Sequence, residues 1–132
     1  MSIEQNKAIV RRFIAAINEQ DLDALDKLAA PELAQRWKES IPRAYARWAG
    51  HYAEITDLIA EGDKVVARLA TSGRHTGEWL GIPATGKQWT NRGVFFCRLS
   101  DGKIVEQEGL FNRVDQLLEL GAKIVPPEQG GA

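Results

Sequence analysis

The hydrophobic pattern of this chain changes period once, at Gly50, and that change restricts the fold more than any other feature of the sequence. Before it, apolar residues recur at three- and four-residue spacings; after it, they alternate with polar ones. Ile3, Ile9, Val10, Phe13, Ile14 and Ile17 form a stripe with Glu4, Lys7, Arg11 and Arg12 between them, which predicts an amphipathic helix capped by Ser2. Asn18-Glu19-Gln20-Asp21 interrupts the stripe. Leu22, Leu25 and Leu28 behind an Asp21 cap then predict a short second helix that ends before Pro31. A third helix is expected from about Glu32 to Trp48, kinked or split by Pro42.

Beyond Gly50, His51 to Ala60 and Lys64 to Thr76 read as strands that meet at Glu61-Gly62-Asp63, where glycine accepts a positive φ. Gln88 to Leu99 and Lys103 to Val114 meet at Asp101-Gly102, the pattern of a two-residue type I′ hairpin. Between the hairpins, His75 to Lys87 is a loop dense in Gly and Pro. A last helical turn from Val114 to Leu120 ends at Gly121, and Pro126 to Ala132 are expected to be a disordered tail behind a single domain over residues 1–125. Helices followed by four antiparallel strands define an α+β domain, with helices covering one face of a strongly curved sheet that encloses a pocket.

Composition narrows the function classes. Seventeen basic against 18 acidic side chains give no basic excess for a nucleic acid. No apolar run is long enough to span a membrane, and the single Cys97 cannot form an internal disulfide. The N-terminus lacks the basic start and apolar stretch of a signal peptide, so the cytoplasm is the expected compartment. Two histidines far apart in sequence make a poor metal site, and the loop glycines lack phosphate-cradle spacing.

Several segments together resemble the SnoaL-like polyketide cyclase (ester cyclase) family. They are Asn6-Lys7 through Arg11-Arg12-Phe13, Asp21-Leu22-Asp23-Ala24-Leu25, Asp57 through Arg68, His75-Thr76-Gly77-Glu78 through Gly81-Ile82-Pro83 to Thr85-Gly86-Lys87, Asp101 through Glu106, and Leu120-Gly121. The resemblance covers about residues 6 to 124. It implies a cone of the nuclear-transport-factor-2-like type, a deep hydrophobic cavity, and a homodimer or higher homo-oligomer. It also implies ring closure of polyketides by an intramolecular aldol reaction without metal or organic cofactor, using an aspartate on the last strand. This chain departs from that pattern, with Glu108 at the family's Trp position and Asn112 at its acid position. An amide cannot serve as a base near neutral pH.

Regular pairing about Asp101-Gly102 puts Asn91 opposite Asn112, Phe95 opposite Glu108 and Cys97 opposite Glu106, all on one face. By the resemblance that face is the cavity face, which would carry Glu108 on the same side of the strand as Asn112, four residues before it. Desolvation there favours the protonated form of a carboxylate, which suits proton transfer near neutrality. Glu108 is therefore the candidate acid/base, with Asn91 and Asn112 as hydrogen-bonding groups for a developing oxyanion. Alternatively Glu108 lines a sheet edge or an oligomer interface and the Asn pair is structural, and a register slip of one residue would turn all three outward.

His75, at its strand end beside the Gly-rich loop, is either a proton shuttle or a structural residue bonded to the loop backbone. His51 is expected to be solvated, and Asp57 to form an ion pair with Arg68 across the first hairpin. Trp37, Tyr45 and Trp48 on the third helix, Trp79 in the loop and Phe95 on the third strand are candidate substrate-binding residues, with core or oligomer contacts as their other role. Cys97 is expected to be an inert buried thiol. An outer face carrying Val94, Phe96 and Phe111 would be covered by a second subunit.

Three functions follow for a small hydrophobic molecule as ligand. They are a cofactor-independent cyclase acting on a polyketide-like intermediate, an epoxide-opening or hydrating enzyme on the same scaffold, and a non-catalytic binding module.

Overall fold

The computed structural model describes residues 2–128. Three helices come first, α1 (Ile3–Glu19), α2 (Leu22–Leu28) and α3 (Pro31–Arg47). Four strands follow, β1 (Trp48–Glu61), β2 (Lys64–His75), β3 (Gln88–Ser100) and β4 (Lys103–Phe111), and then α4 (Arg113–Glu119). The strands form one antiparallel sheet in the order β1-β2-β3-β4, so β1 and β4 are its edges. The α+β architecture expected from the change of period is the one observed.

The local signals act as their chemistry dictates. Ser2 accepts from the Gln5 amide and Gln5 returns a bond to the Ser2 amide, satisfying two of the free N–H groups that open α1. Asp21 caps α2 through the Ala24 amide. Helix α3 starts on Pro31, whose missing N–H costs nothing at a helix start. It runs through Pro42 without splitting and ends at Arg47, with Trp48 already in the sheet. Contacts on both sides of Pro42 hold it. Trp37 Nε1 donates to Gln107 at 2.8 Å, and the Tyr45 hydroxyl donates to the Ile17 carbonyl at 2.9 Å.

The inward sheet face packs on the helices. Phe13, Val10 and Ile14 of α1, Leu25 of α2 and Ile41 of α3 meet Val65, Ala67 and Leu69 of β2, Phe95, Cys97 and Leu99 of β3, and Ile104 of β4 in one buried core. Each sheet edge is partly covered. The Asn18 side chain exchanges two 2.8 Å bonds with the backbone of Ala53 on β1, and the Ala30 amide donates to the Ile104 carbonyl on β4.

Both hairpin turns fall where the sequence puts them. Gly62 has φ +59, and Asp101 and Gly102 have φ +51 and +79, the two positive values a type I′ turn requires. Asp57 does oppose Arg68, but they form no ion pair: Asp57 accepts from the Leu58 amide while Arg68 donates to Thr56.

The second hairpin departs from the expected register. Ser100 pairs with Lys103 and Leu99 with Ile104, but then Arg98 pairs with Glu106, which leaves Val105 as an extra residue in β4. Beyond this bulge Cys97 opposes Gln107, Phe96 opposes Glu108, Phe95 opposes Gly109 and Gly93 opposes Phe111. The inward positions of β4 are thus Ile104, Gln107, Gly109 and Phe111. Glu108 and Asn91 do not share a face, and Phe111 points into the domain, where its ring meets Phe95 edge-on at 5.5 Å. Strand β4 stops at Phe111, and α4 begins one residue later than Asn112, earlier than the turn expected from Val114. Of the tail, residues 126–128 carry no regular structure and 129–132 lie outside the described residues.

Candidate active site

A pocket of about 550 Å³ lies between the inward sheet face and helices α1 and α3. Its apolar walls include Ile14, Ile17, Ile41, Ala53, Leu69, Trp37, Phe95 and Phe111, and its polar groups are Ser40, Tyr45, His51, Thr71, Arg43, Arg47 and Arg113. Gly109 makes room in the wall, since a Cβ there would stand 2.7 Å from the Phe95 ring. A larger recess of about 950 Å³ runs along β1–β3 and α4, lined mainly by polar residues such as Glu54, Ser72, Thr90, Arg92 and Asp115. The apolar pocket has the character of a site for a hydrophobic molecule.

His51 is the titratable base of this pocket. Gly50 takes φ +66, and Gly50 and His51 together occupy the ladder space between the pairs Ala49–Arg74 and Tyr52–Ser72. That bulge turns the imidazole inward, against Tyr45 at 5.5 Å between ring centroids and Trp89 at 6.0 Å. Its Nδ1 is buried without a hydrogen-bond partner. Burial pushes the His51 pKa below the ordinary 6.5, and the positive charge of Arg113 pushes it further the same way. The ring is therefore neutral at physiological pH, with a free lone pair inside an apolar site. His51 is not the solvated residue that its place at the start of a strand suggested.

Near it, the Trp89 Nε1–H is buried and unpartnered. The Tyr45 hydroxyl is committed to the Ile17 carbonyl, and burial raises its pKa. The Thr71 hydroxyl donates to the Asn91 carbonyl at 3.3 Å.

The expected catalytic trio is not assembled. Glu108 is exposed on the outer face, lining a shallow recess with Phe96, Arg98 and Glu106. The Val105 bulge put it there. Asn112 is the N-cap of α4 and uses both side-chain atoms on Asp115, accepting from its amide at 3.1 Å and donating to its carboxylate at 2.7 Å. Asn91 is buried and is not the cross-strand partner of Asn112, though both line the polar recess; it donates to the Gln116 side chain at 3.0 Å and ties β3 to α4. His75 is buried outside the pocket. Its Nδ1 accepts from the Thr85 amide at 3.2 Å and lies 3.0 Å from the Thr85 hydroxyl, while its backbone bonds Lys87 and Gly86, so it closes the Gly-rich loop.

Of the expected substrate-binding residues, Trp37, Tyr45, Trp48 and Phe95 do line the pocket, whereas Trp79 packs with Trp48, Trp89 and Leu120 in a second cluster. Cys97 is buried, its thiol pushed up by desolvation. Phe96, Leu110 and Ile59 are exposed on the outer face. His51 and the three arginines are the pocket residues that the pattern of the sequence did not reveal.

A curved sheet wrapped on helices, with an apolar pocket holding one neutral base, defines a small-molecule site. The sequence model of the SnoaL-like polyketide cyclase family matches residues 7–120, and the chain belongs to that family. It is similar to the aklanonic acid methyl ester cyclase DnrD of Streptomyces peucetius, 33% identical over 78 residues, 59% of this chain and 53% of that protein. The chain spans about half the length of the curated relatives it matches. Among solved structures, TsrD from Streptomyces laurentii superposes with a TM-score of 0.86 at 27% identity, over 93% of this chain and 99% of that one. IdmH from Streptomyces antibioticus, a candidate polyketide cyclase, gives 0.81 at 25% identity over 89% and 99%. Among the described residues no helix is long and apolar enough to cross a membrane.

Proposed function

We propose that this chain is a cyclase-type enzyme that takes a hydrophobic polyketide-like intermediate into the 550 Å³ pocket and closes a ring by an intramolecular aldol reaction, with His51 moving the proton. The observation that carries this is the neutral, unpartnered imidazole held inside an apolar pocket. A carbon between two carbonyls loses a proton to the His51 ring, and the resulting enolate attacks a second carbonyl held nearby. The alkoxide formed takes the proton back from the imidazolium. The product is an isomer of the substrate, so no oxidant or co-reactant enters. The unpartnered Trp89 Nε1–H supplies a donor for the developing oxygen charge. The likeness to the cyclase DnrD and the family match support a cyclase, while Asn112, where the resemblance would put the family's aspartate, caps α4.

The test is conversion of aklanonic acid methyl ester and of the corresponding free acid, each followed by mass spectrometry in ¹⁸O-labelled water. A product of unchanged mass that His51→Gln fails to form supports the proposal. Wild-type turnover by His51→Gln removes His51 from the mechanism, a product heavier by one water indicates hydration, and binding without turnover indicates a binding module. The same proposal includes a homodimer over the outer face around Phe96 and Leu110, as the family resemblance implies, and a monomer by sedimentation at micromolar concentration would exclude it.

A further inference from the structure

Every charged side chain that lines the pocket, apart from the titratable His51, is an arginine: Arg43, Arg47 and Arg113. None of the chain's 18 acidic residues lines it, although acids and bases are nearly equal in number over the whole sequence. Outside the pocket one guanidinium, that of Arg98, pairs with carboxylates among the described residues. Arg98 holds Glu106 at 2.8 Å and lies 4.0 Å from Asp63. Among the described residues the three pocket arginines have no carboxylate partner; Arg47 Nε donates to the Glu78 carbonyl at 3.2 Å and Arg113 donates to the Gln116 side-chain oxygen at 2.9 Å.

Their neighbours hold them in place. The Arg113 guanidinium stands 5.1 Å from the centre of the Phe111 ring, and that of Arg47 stands 6.0 Å from the Trp48 ring. The positive charges also act on each other: burial lowers the Arg113 pKa, and the charge of Arg47 lowers it further. Arg43 and Arg113 are exposed and Arg47 is half-buried, so water screens part of their mutual repulsion and an anion among them would relieve the rest. A carboxylate matches the planar fork of a guanidinium, which can bind it through two parallel hydrogen bonds.

We infer that the ligand of this pocket is a hydrophobic molecule carrying one carboxylate, which seats among Arg113, Arg47 and Arg43 while its apolar body lies against Phe95, Leu69 and Ile14. This deepens the function proposed above, and rests on it only in taking the pocket as the substrate site. It also separates this chain from a pocket built for a neutral ester, because an ester offers no charge to three guanidiniums.

The test uses a matched pair of probes, anthraquinone-2-carboxylate and its methyl ester, titrated against the full chain by quenching of tryptophan fluorescence, since Trp37, Trp48 and Trp89 line the pocket. The acid is expected to bind at least tenfold more tightly than the ester, and its advantage is expected to shrink as salt rises. Arg113→Gln should weaken the acid about tenfold and leave the ester unchanged, while Arg113→Lys should keep part of the preference. Arg43→Gln, at a residue with no hydrogen bond to lose among the described residues, should weaken the acid in the same sense and guards against a folding defect in the first variant. Equal or tighter binding of the ester, or arginine variants that weaken both probes alike, would overturn the inference and leave the cyclase proposal standing. Failure of both probes to bind would overturn it too, and the turnover assay with His51→Gln then decides the broader proposal independently.

Discussion

The two central strands and the two edge strands of this sheet differ in one respect that decides its chemistry. Strands β2 and β3 pair from Lys64–Arg98 to Arg74–Gln88 without a register shift, and their inward residues fill the core. Strand β1 carries two register shifts against β2 and β4 carries one against β3, and the shifts at Gly50–His51 and at Val105 each change which face a titratable side chain occupies. At Gly50–His51 the shift brings an imidazole into the pocket. At Val105 it takes the Glu108 carboxylate out. A bulge in a central strand would disturb two ladders at once, whereas an edge strand has one ladder to adjust, so the edges are where a site can be re-aimed at low cost.

Breaking the inward edge should have the largest effect. His51→Gln keeps a polar side chain of similar reach but removes the base, and turnover should fall by about 10² to 10⁴-fold, the usual contribution of a positioned acid/base group. Thermal stability should change little, because the ring makes no bond through Nδ1. His75→Gln offers the contrasting case. It leaves the Thr85 amide without its acceptor and should cost about 1–3 kcal/mol of stability, while the folded fraction turns over normally. Denaturant titration beside a turnover assay separates the two histidines, and a stable but inactive His75→Gln would reverse their roles.

The bulge itself comes next. Gly50 has open space around a Cβ but φ +66, so the obstacle to a side chain there is backbone strain alone. Gly50→Val should destabilise by about 1–2 kcal/mol and lower kcat by displacing His51, and Gly50→Asn, which tolerates the left-handed region, should recover most of both. Equal activity of Gly50→Val and wild type would show that the bulge does not position the imidazole.

Why the core was legible in the sequence and the edges were not follows from these residues. The change of period at Gly50, the caps at Ser2 and Asp21 and the glycine-bearing turns are local signals, each fixed by the conformational limits of one or two residues. The face of Glu108 depends on Val105, where two registers satisfy the Asp101-Gly102 turn equally well. Tertiary packing chooses between them. The observed register sets Phe95 over Gly109 and Phe111 over Gly93, and lets Gln107 reach Trp37. The alternating Gly93-x-Phe95 and Gly109-x-Phe111 was the available clue, since pairing each glycine with a phenylalanine across the strands demands the extra residue. His51 carried a weaker clue, the glycine before it. The arginines carried none, because a pocket contributed by α3 and α4 together is not a sequence pattern.

The pH response tests the electrostatics of the inward edge with a smaller effect. His51 faces Arg113, the Tyr45 phenol and the Trp89 ring, and its native pKa lies below 6.5 through burial first and Arg113 second. A neutral ring is the active form, so activity should be full above the ordinary imidazole range and decline as pH falls through the depressed native pKa. The native state binds the proton less readily than the unfolded chain, so the associated stability is present above about pH 6.5 and is lost as pH falls. Arg113→Gln should move the acidic limb of the activity profile upward, part of the way to 6.5, since burial remains. A limb that stays put would mean that the Arg113 charge is screened from the ring.

The outward edge predicts the smallest effect and for that reason isolates the register. Glu108 is exposed opposite Phe96, with no hydrogen bond or ion pair among the described residues, and the neighbouring Glu106 is the carboxylate that holds Arg98. Glu108→Gln should leave turnover unchanged and shift stability by no more than about 0.5 kcal/mol, as for other surface substitutions. Had β4 paired without its bulge, the same variant would remove a carboxylate from the pocket wall and turnover would collapse. A hundredfold loss in Glu108→Gln would therefore contradict the Val105 bulge and the assignment of His51 together. An inert Glu108→Gln beside an inactive His51→Gln would place the working base on β1, at the opposite edge of the sheet from β4.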